Sequence, residues 1–210
     1  AQDLASLLTH QGHERFQVLA HDRGARVAHR LALDHAARVD RMMLLDIAPT
    51  LDMYDQTTRG FAQAYFHWFF LIQPAPLPDR MVEADPVFYI RSVMGGRHAG
   101  LAPFTDQAMA EYERCVRKTG WAYAICEDYR ASASIDLDHD RDGRASGEKV
   151  QCPLRVLWGA KGVVARHFDV LKLWQAVAND VDGHAIECGH YLAEEAPDLL
   201  LPDVLAFFKN

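Results

Sequence analysis

The chain has 210 residues, a formal net charge of −7 and a hydrophobic content of 50%, enough apolar material to bury the core of one domain with an insertion. The negative balance excludes a binder of nucleic-acid backbones, which needs a basic face, and no apolar run reaches the roughly 18 residues of a membrane span. Cys115, Cys126, Cys152 and Cys188 lack metal-ligand spacing and are expected as free thiols in a cytoplasmic protein, and the histidines lack the helical pairing of a zinc site, so neither metal nor cofactor is expected.

Leu4, Leu7 and Leu8 recur at helical spacing and predict a helix over 1–11. A short buried strand follows at 16–20, then a helix over 25–36 with Val27, Leu31 and Leu33 apolar, then a second strand at 41–46 stopped by Pro49. The second strand is a near-continuous apolar run, which predicts a parallel sheet covered on both faces. Strand, helix and strand at this spacing form a βαβ unit. Over 51–134 the character changes to helical stretches rich in aromatics, with no strand pattern, as expected of a helical cap inserted into the sheet domain. Residues 136–149 are polar and fit a connector or an exposed helix. Sheet character returns at Leu154–Gly159, followed by a helix at 168–177, a short strand at 183–187 and a last helix at 196–209. The predicted organisation is a core part over 1–50, a cap over 51–134 and a second core part over 135–210.

The most specific signal is Ala20-His21-Asp22-Arg23-Gly24, where an apolar strand turns at once into an amphipathic helix. This is the small-X-nucleophile-X-small pattern of the α/β-hydrolase elbow, with Asp where Ser is usual. Small residues are expected at Ala20 and Gly24 because a larger side chain would clash in a tight turn. A carboxylate there attacks an sp3 carbon and becomes an ester, which points to displacement of halide or opening of an epoxide. Taken alone, Asp22 also fits a helix N-cap.

Two further positions decide between these readings. His190, in Cys188-Gly189-His190-Tyr191, follows the last strand and precedes the last helix, where chain order places the histidine of such a constellation. The acid that orients it has two usual positions. The loop after Trp158-Gly159 holds none until Asp169, whereas the end of the strand after the nucleophile helix holds Asp46. Asp22, Asp46 and His190 are therefore the expected catalytic set.

Together, Ala-His-Asp-Arg-Gly-Ala-Arg at 20–26, Asp46, the His67-Trp68 pair and Gly189-His190 resemble the fluoroacetate (haloacetate) dehalogenases of the α/β-hydrolase fold, over essentially the whole chain. The resemblance implies that Arg23 and Arg26 grip the substrate carboxylate, one helical turn bringing two planar guanidinium groups beside the nucleophile. It also implies a halide site of His67, Trp68 and a later cap tyrosine, Tyr129, with Tyr123 left open as the alternative, and a homodimer formed through the cap.

The expected fold is the C-terminal portion of an α/β-hydrolase, parallel strands with flanking helices around the cap, in a chain truncated at its N-terminal side. One oxyanion donor would be the backbone N–H of Arg23, and the second would come from the absent part. The expected reaction converts a 2-haloacetate to glycolate and halide through an ester on Asp22. An epoxide hydrolase with the same machinery, using Tyr65, Tyr123 or Tyr129 as proton donor, is the second expectation, although paired arginines have no partner in a neutral epoxide. A non-catalytic, carboxylate-binding protein of this fold is the third.

Overall fold

The computed structural model describes residues 1–209; Asn210, the end of the predicted second core part, lies outside the described residues. Among these residues, β1 (Phe16–His21), β2 (Val39–Leu45), β3 (Leu154–Gly159) and β4 (Val181–Ile186) form one sheet in the order β1-β2-β3-β4. Every pairing is parallel. Parallel neighbours need crossovers, and α1 (Gln2–His10), which precedes β1, is followed by α2 (Asp22–Asp34) as the crossover from β1 to β2. The chain is thus of the α/β class expected from the apolar runs.

The sheet is covered on both faces, and β2 shows why its sequence lacks alternation. Met42 and Leu44 face one layer, where Ala25, Ala28 and Leu31 of α2 pack. Met43 and Leu45 face the opposite layer with Leu157, Ile186 and Leu200. All four β2 side chains are at most 4% exposed, so each position demands an apolar residue.

Between β2 and β3 the chain is helical: α3 (Thr50–Asp55), α4 (Arg59–Ala64), α5 (Phe66–Leu71), α6 (Leu77–Ala84), α7 (Pro86–Gly95), α8 (Asp106–Val116), α9 (Trp121–Ser132) and α10 (Ile135–Ser146). The first core layer continues into this region through Phe61, Tyr65 and Trp68, all nearly or fully buried. The polar stretch 136–149 is largely α10, and Leu137 is its one buried residue. After β3 come α11 (Val163–His167), α12 (Val170–Val177), β4, α13 (Leu192–Glu195) and α14 (Pro197–Phe208). Two expectations are corrected: α2 starts at Asp22 rather than at Ala25, because the turn is completed within Asp22 itself, and α11 is a short helix that periodicity over five residues does not reveal. Among the described residues, no helix is long and apolar enough to cross a membrane.

Candidate active site

The C-terminal ends of β1 and β2 and the loop after β4 converge at the carboxyl end of the sheet, where open α/β sheets bind ligands. β1 ends at His21 and α2 begins at Asp22, whose φ of 48° lies in the left-handed region. Asp46, directly after β2, has a φ of 50°. These are the positive-φ non-glycine residues of the described chain. Asp tolerates this conformation better than most residues, yet it still carries strain of the kind that clusters at functional sites. Gly24 does not behave as expected, because a Cβ added there meets nothing within 4 Å among the described residues.

His190 stands between the two carboxylates. Its Nε2 is 3.1 Å from Asp22 Oδ2 and its Nδ1 is 2.6 Å from Asp46 Oδ2. The other oxygen of Asp46 accepts the Gly159 N–H at 2.9 Å. Both ring nitrogens therefore face acceptors, the arrangement of an imidazolium. Burial disfavours that charge, but the bonds to Asp22 and Asp46 overcome it and raise the His190 pKa to about 9. Burial likewise works against ionised Asp22, yet the His190 bond and charge, with His21 and Arg26 beyond them, hold it well below the usual carboxylate range.

The loop carrying His190 is fixed from three sides. A Cβ on Gly159 would sit 1.9 Å from the Gly189 carbonyl oxygen, so only glycine lets the loop lie across the end of β3. The Glu195 carboxylate accepts the Gly189 N–H at 2.6 Å and the Tyr191 N–H at 3.0 Å, straddling His190. The His21 ring donates from Nε2 to the His190 carbonyl at 2.8 Å. Sequence reasoning missed Glu195 and His21; the acidic pair after Gly-His and the histidine before the nucleophile were the available signals.

A cavity of about 320 Å³ lies against Asp22. His21, His67, Arg97, Tyr129 and Tyr191 supply polar groups, and Leu71, Ile90, Val93, Phe104 and Trp121 supply an apolar wall. Tyr129 is buried and lines this space, whereas the alternative Tyr123 is 59% exposed and does not. Burial and the Arg97 charge lower the His67 pKa to about 3, so the ring is neutral. Burial also raises the Tyr129 phenol well above its ordinary value, keeping its O–H as a donor.

Three expected residues sit differently. Arg23 and Arg26 line a separate cavity of about 110 Å³ rather than that of Asp22. Asp128 draws Arg23 aside, accepting from Nε at 2.6 Å through its side chain and from Nη2 at 2.9 Å through its carbonyl. Arg26 donates to the Ala48 carbonyl at 3.2 Å and Thr50 Oγ1 at 3.0 Å, and its Cζ lies 4.5 Å from the centroid of the Trp68 ring. Trp68 is fully buried, outside the large cavity's lining, and its Nε1 lacks a hydrogen-bond partner. Each arginine also retains one buried unpartnered nitrogen, Arg23 Nη1 and Arg26 Nε.

No family model matches the chain. A fluoroacetate dehalogenase from a Burkholderia species is 37% identical over 201 residues, covering 94% of this chain and 65% of that protein. A soluble epoxide hydrolase from Corynebacterium sp. (strain C12) is 29% identical over 215 residues, covering 99% of this chain and 72% of that protein. The chain thus spans about two thirds of the length of these relatives. Among solved structures, a Nostoc sp. PCC 7120 protein described provisionally as an α/β hydrolase superposes with a TM-score of 0.94 at 48% identity, covering 98% of this chain and 70% of that one. With its parallel sheet, its Asp–His–Asp constellation at the C-terminal strand ends and these relatives, the chain belongs to the α/β-hydrolase family.

Proposed function

We propose that this chain carries the catalytic machinery of a hydrolytic dehalogenase that converts fluoroacetate or other 2-haloacetates to glycolate and halide. The observation that carries the reading is His190 bridging two carboxylates, one of them strained at a strand-to-helix elbow and facing a cavity. An Asp nucleophile cannot run acyl transfer in the manner of a serine, but it displaces a leaving group from sp3 carbon.

In the first step an Asp22 carboxylate oxygen attacks C2, the carbon–halogen bond breaks, and the halide departs with the bonding electrons. Neutral His67 and Tyr129, which line the cavity, are the donor set for the halide; the unpartnered Trp68 indole N–H joins them in this reading only by turning from its buried position toward the cavity. Asp22 is then a neutral ester, and His190 loses the partner that heads the interactions raising its pKa. The imidazolium releases its proton to solvent and becomes the base the second step needs. His190 removes a proton from water, the hydroxide attacks the ester carbonyl, and the carbonyl oxygen's developing charge meets the Arg23 backbone N–H. The intermediate collapses with cleavage of the bond to the glycolate oxygen, which takes up the proton given up by the added hydroxyl, so that glycolate leaves, Asp22 returns as a carboxylate and His190 is again the imidazolium. Arg23 and Arg26, each with an unpartnered nitrogen, are the cations for the substrate carboxylate in this reading, and reaching it requires their side chains to turn from their present partners.

The test is fluoride and chloride release from the 2-haloacetates by the protein and its Asp22→Asn variant. Release by the parent and none by the variant supports the assignment; full activity in the variant removes Asp22 as nucleophile. A second reading, epoxide hydrolysis, draws support from the epoxide hydrolase relative and from the Tyr65 hydroxyl, which is buried without a partner and could protonate an opening oxygen. Styrene oxide in the same assay separates the two.

A further inference from the structure

Arg97, in the turn after α7, has no place in the expected constellation, yet it lines the same cavity as Asp22, His67 and Tyr129. Its guanidinium lies over the Tyr65 ring, Cζ 4.3 Å from the centroid. Nη1 reaches the Ala64 carbonyl at 3.4 Å and Nη2 the His67 Nε2 at 3.5 Å, both long for hydrogen bonds, and a further bond involves Tyr191. None of these partners is a carboxylate. Nε is buried with no partner at all. A cation of this kind, short of acceptors and facing a cavity, is built for an anion.

The chemistry says which anion. Asp22 carries the negative charge of the cavity at rest, and it is the carboxylate whose field reaches Arg97. During displacement that charge leaves Asp22, which becomes an ester, and appears on the halogen. Donors aimed where charge develops stabilise the transition state more than the ground state. Arg97 touches His67, the residue expected at the halide, so the charge moves toward it as the carbon–halogen bond breaks. We infer that Arg97 is the cation of the leaving-group end, holding the departing halide beside His67 and Tyr129. The inference rests on the dehalogenase reading for its catalytic part, and on geometry alone for its halide-binding part.

The test uses the full-length protein with Arg97→Gln and the charge-conserving Arg97→Lys. First-turnover rates are measured with fluoroacetate, chloroacetate and bromoacetate, and chloride and bromide are titrated into the resting protein by tryptophan fluorescence, Trp121 lying in the cavity wall. Fluoride localises charge most and leaves least readily, so Arg97→Gln slows fluoroacetate about 100-fold and bromoacetate less than about 5-fold, as removal of one such donor does elsewhere. Arg97→Lys recovers most of the loss, and Arg97→Gln weakens chloride binding several-fold. An equal loss with all three leaving groups, a shared rise in KM, or unchanged halide binding overturns the inference. If the parent releases no halide from any haloacid, the dehalogenase reading fails, and the chloride titration still decides whether Arg97 holds a halide.

Discussion

Replacing Asp22 by Asn tests the electrostatics of the site independently of turnover. In the parent, His190 is raised from 6.5 to about 9, with the Asp22 bond first among the causes that raise it. A tenfold change in proton affinity is worth about 1.4 kcal/mol, so the raised value corresponds to about 3 kcal/mol of folding stability. His190 is 4% exposed, so solvent screening discounts this little. Because the folded value lies above the unfolded one, the contribution is complete below pH 6.5 and is lost as pH rises through about 9. The asparagine side chain carries no charge, leaving Asp46 alone to oppose the burial that drives the imidazole toward neutrality.

The assay is paired: nitrogen-detected NMR titration of the histidine rings, and urea unfolding from pH 6 to pH 10. In the parent the His190 ring titrates near pH 9, and stability falls by about 3 kcal/mol across the window from pH 6.5 to 9. In Asp22→Asn the ring titrates well below the parent value and the fall shrinks to about half or less. Other groups titrating in the window cancel in the comparison. A parent ring titrating below 6.5, or identical curves for the two proteins, refutes the account of His190 as a resting imidazolium.

Gly159→Ala puts a methyl 1.9 Å from the Gly189 carbonyl oxygen; the melting temperature falls, and the ester hydrolysis step slows because the His190 loop must lift. Glu195→Gln removes the charge bonded to the amides on both sides of His190; ester breakdown slows about tenfold with KM unchanged, visible as ester accumulating on Asp22 by mass spectrometry. Trp174→Phe loses a bond to the Ile47 carbonyl at 3.0 Å from a fully buried ring; about 2 kcal/mol of stability in urea unfolding should go with it, since a carbonyl is left unpaired and a void opened.

The residues legible in the sequence were those whose chemistry depends on local spacing. The β1–elbow–α2 turn, the doubly covered β2 strand and the Gly-His loop all follow from patterns within about ten residues, and the four strands lie where the apolar runs put them. Asp46 was reached by elimination between two loops, and it lies 2.6 Å from His190. What spacing could not give was the direction of long side chains. Arg23 and Arg26 are one helical turn apart as expected, but Asp128 of α9 and the Ala48–Thr50 segment offer them acceptors that no local pattern reveals. Arg97 was invisible for the same reason: thirty residues separate it from His67, and only the packing of α5 against the turn after α7 brings the two together.

The backbone at the two carboxylates shows where the site's cost lies. Asp22 and Asp46 end adjacent parallel strands, with His21 of β1 in register with Leu45 of β2. Each takes a left-handed φ that costs about 1 kcal/mol for a side-chain-bearing residue. Glycine would remove that strain at both positions and would also remove both charges that hold His190. The strain, about 2 kcal/mol over the two positions, turns the carboxylates off the strand ends toward one imidazole, and the His190 contribution of about 3 kcal/mol outweighs it by about 1 kcal/mol. That balance is pH-dependent, because the offset vanishes once His190 is neutral while the backbone strain remains. In the proposed reaction, alkylation of Asp22 would do chemically what high pH does by titration: it would remove one charge of the His190–Asp22 pair, free the imidazole to act as base, and leave an ester at a strained position for hydrolysis. A strand-end carboxylate with an unstrained φ would bind His190 less directly and give up this coupling between the first step and the second.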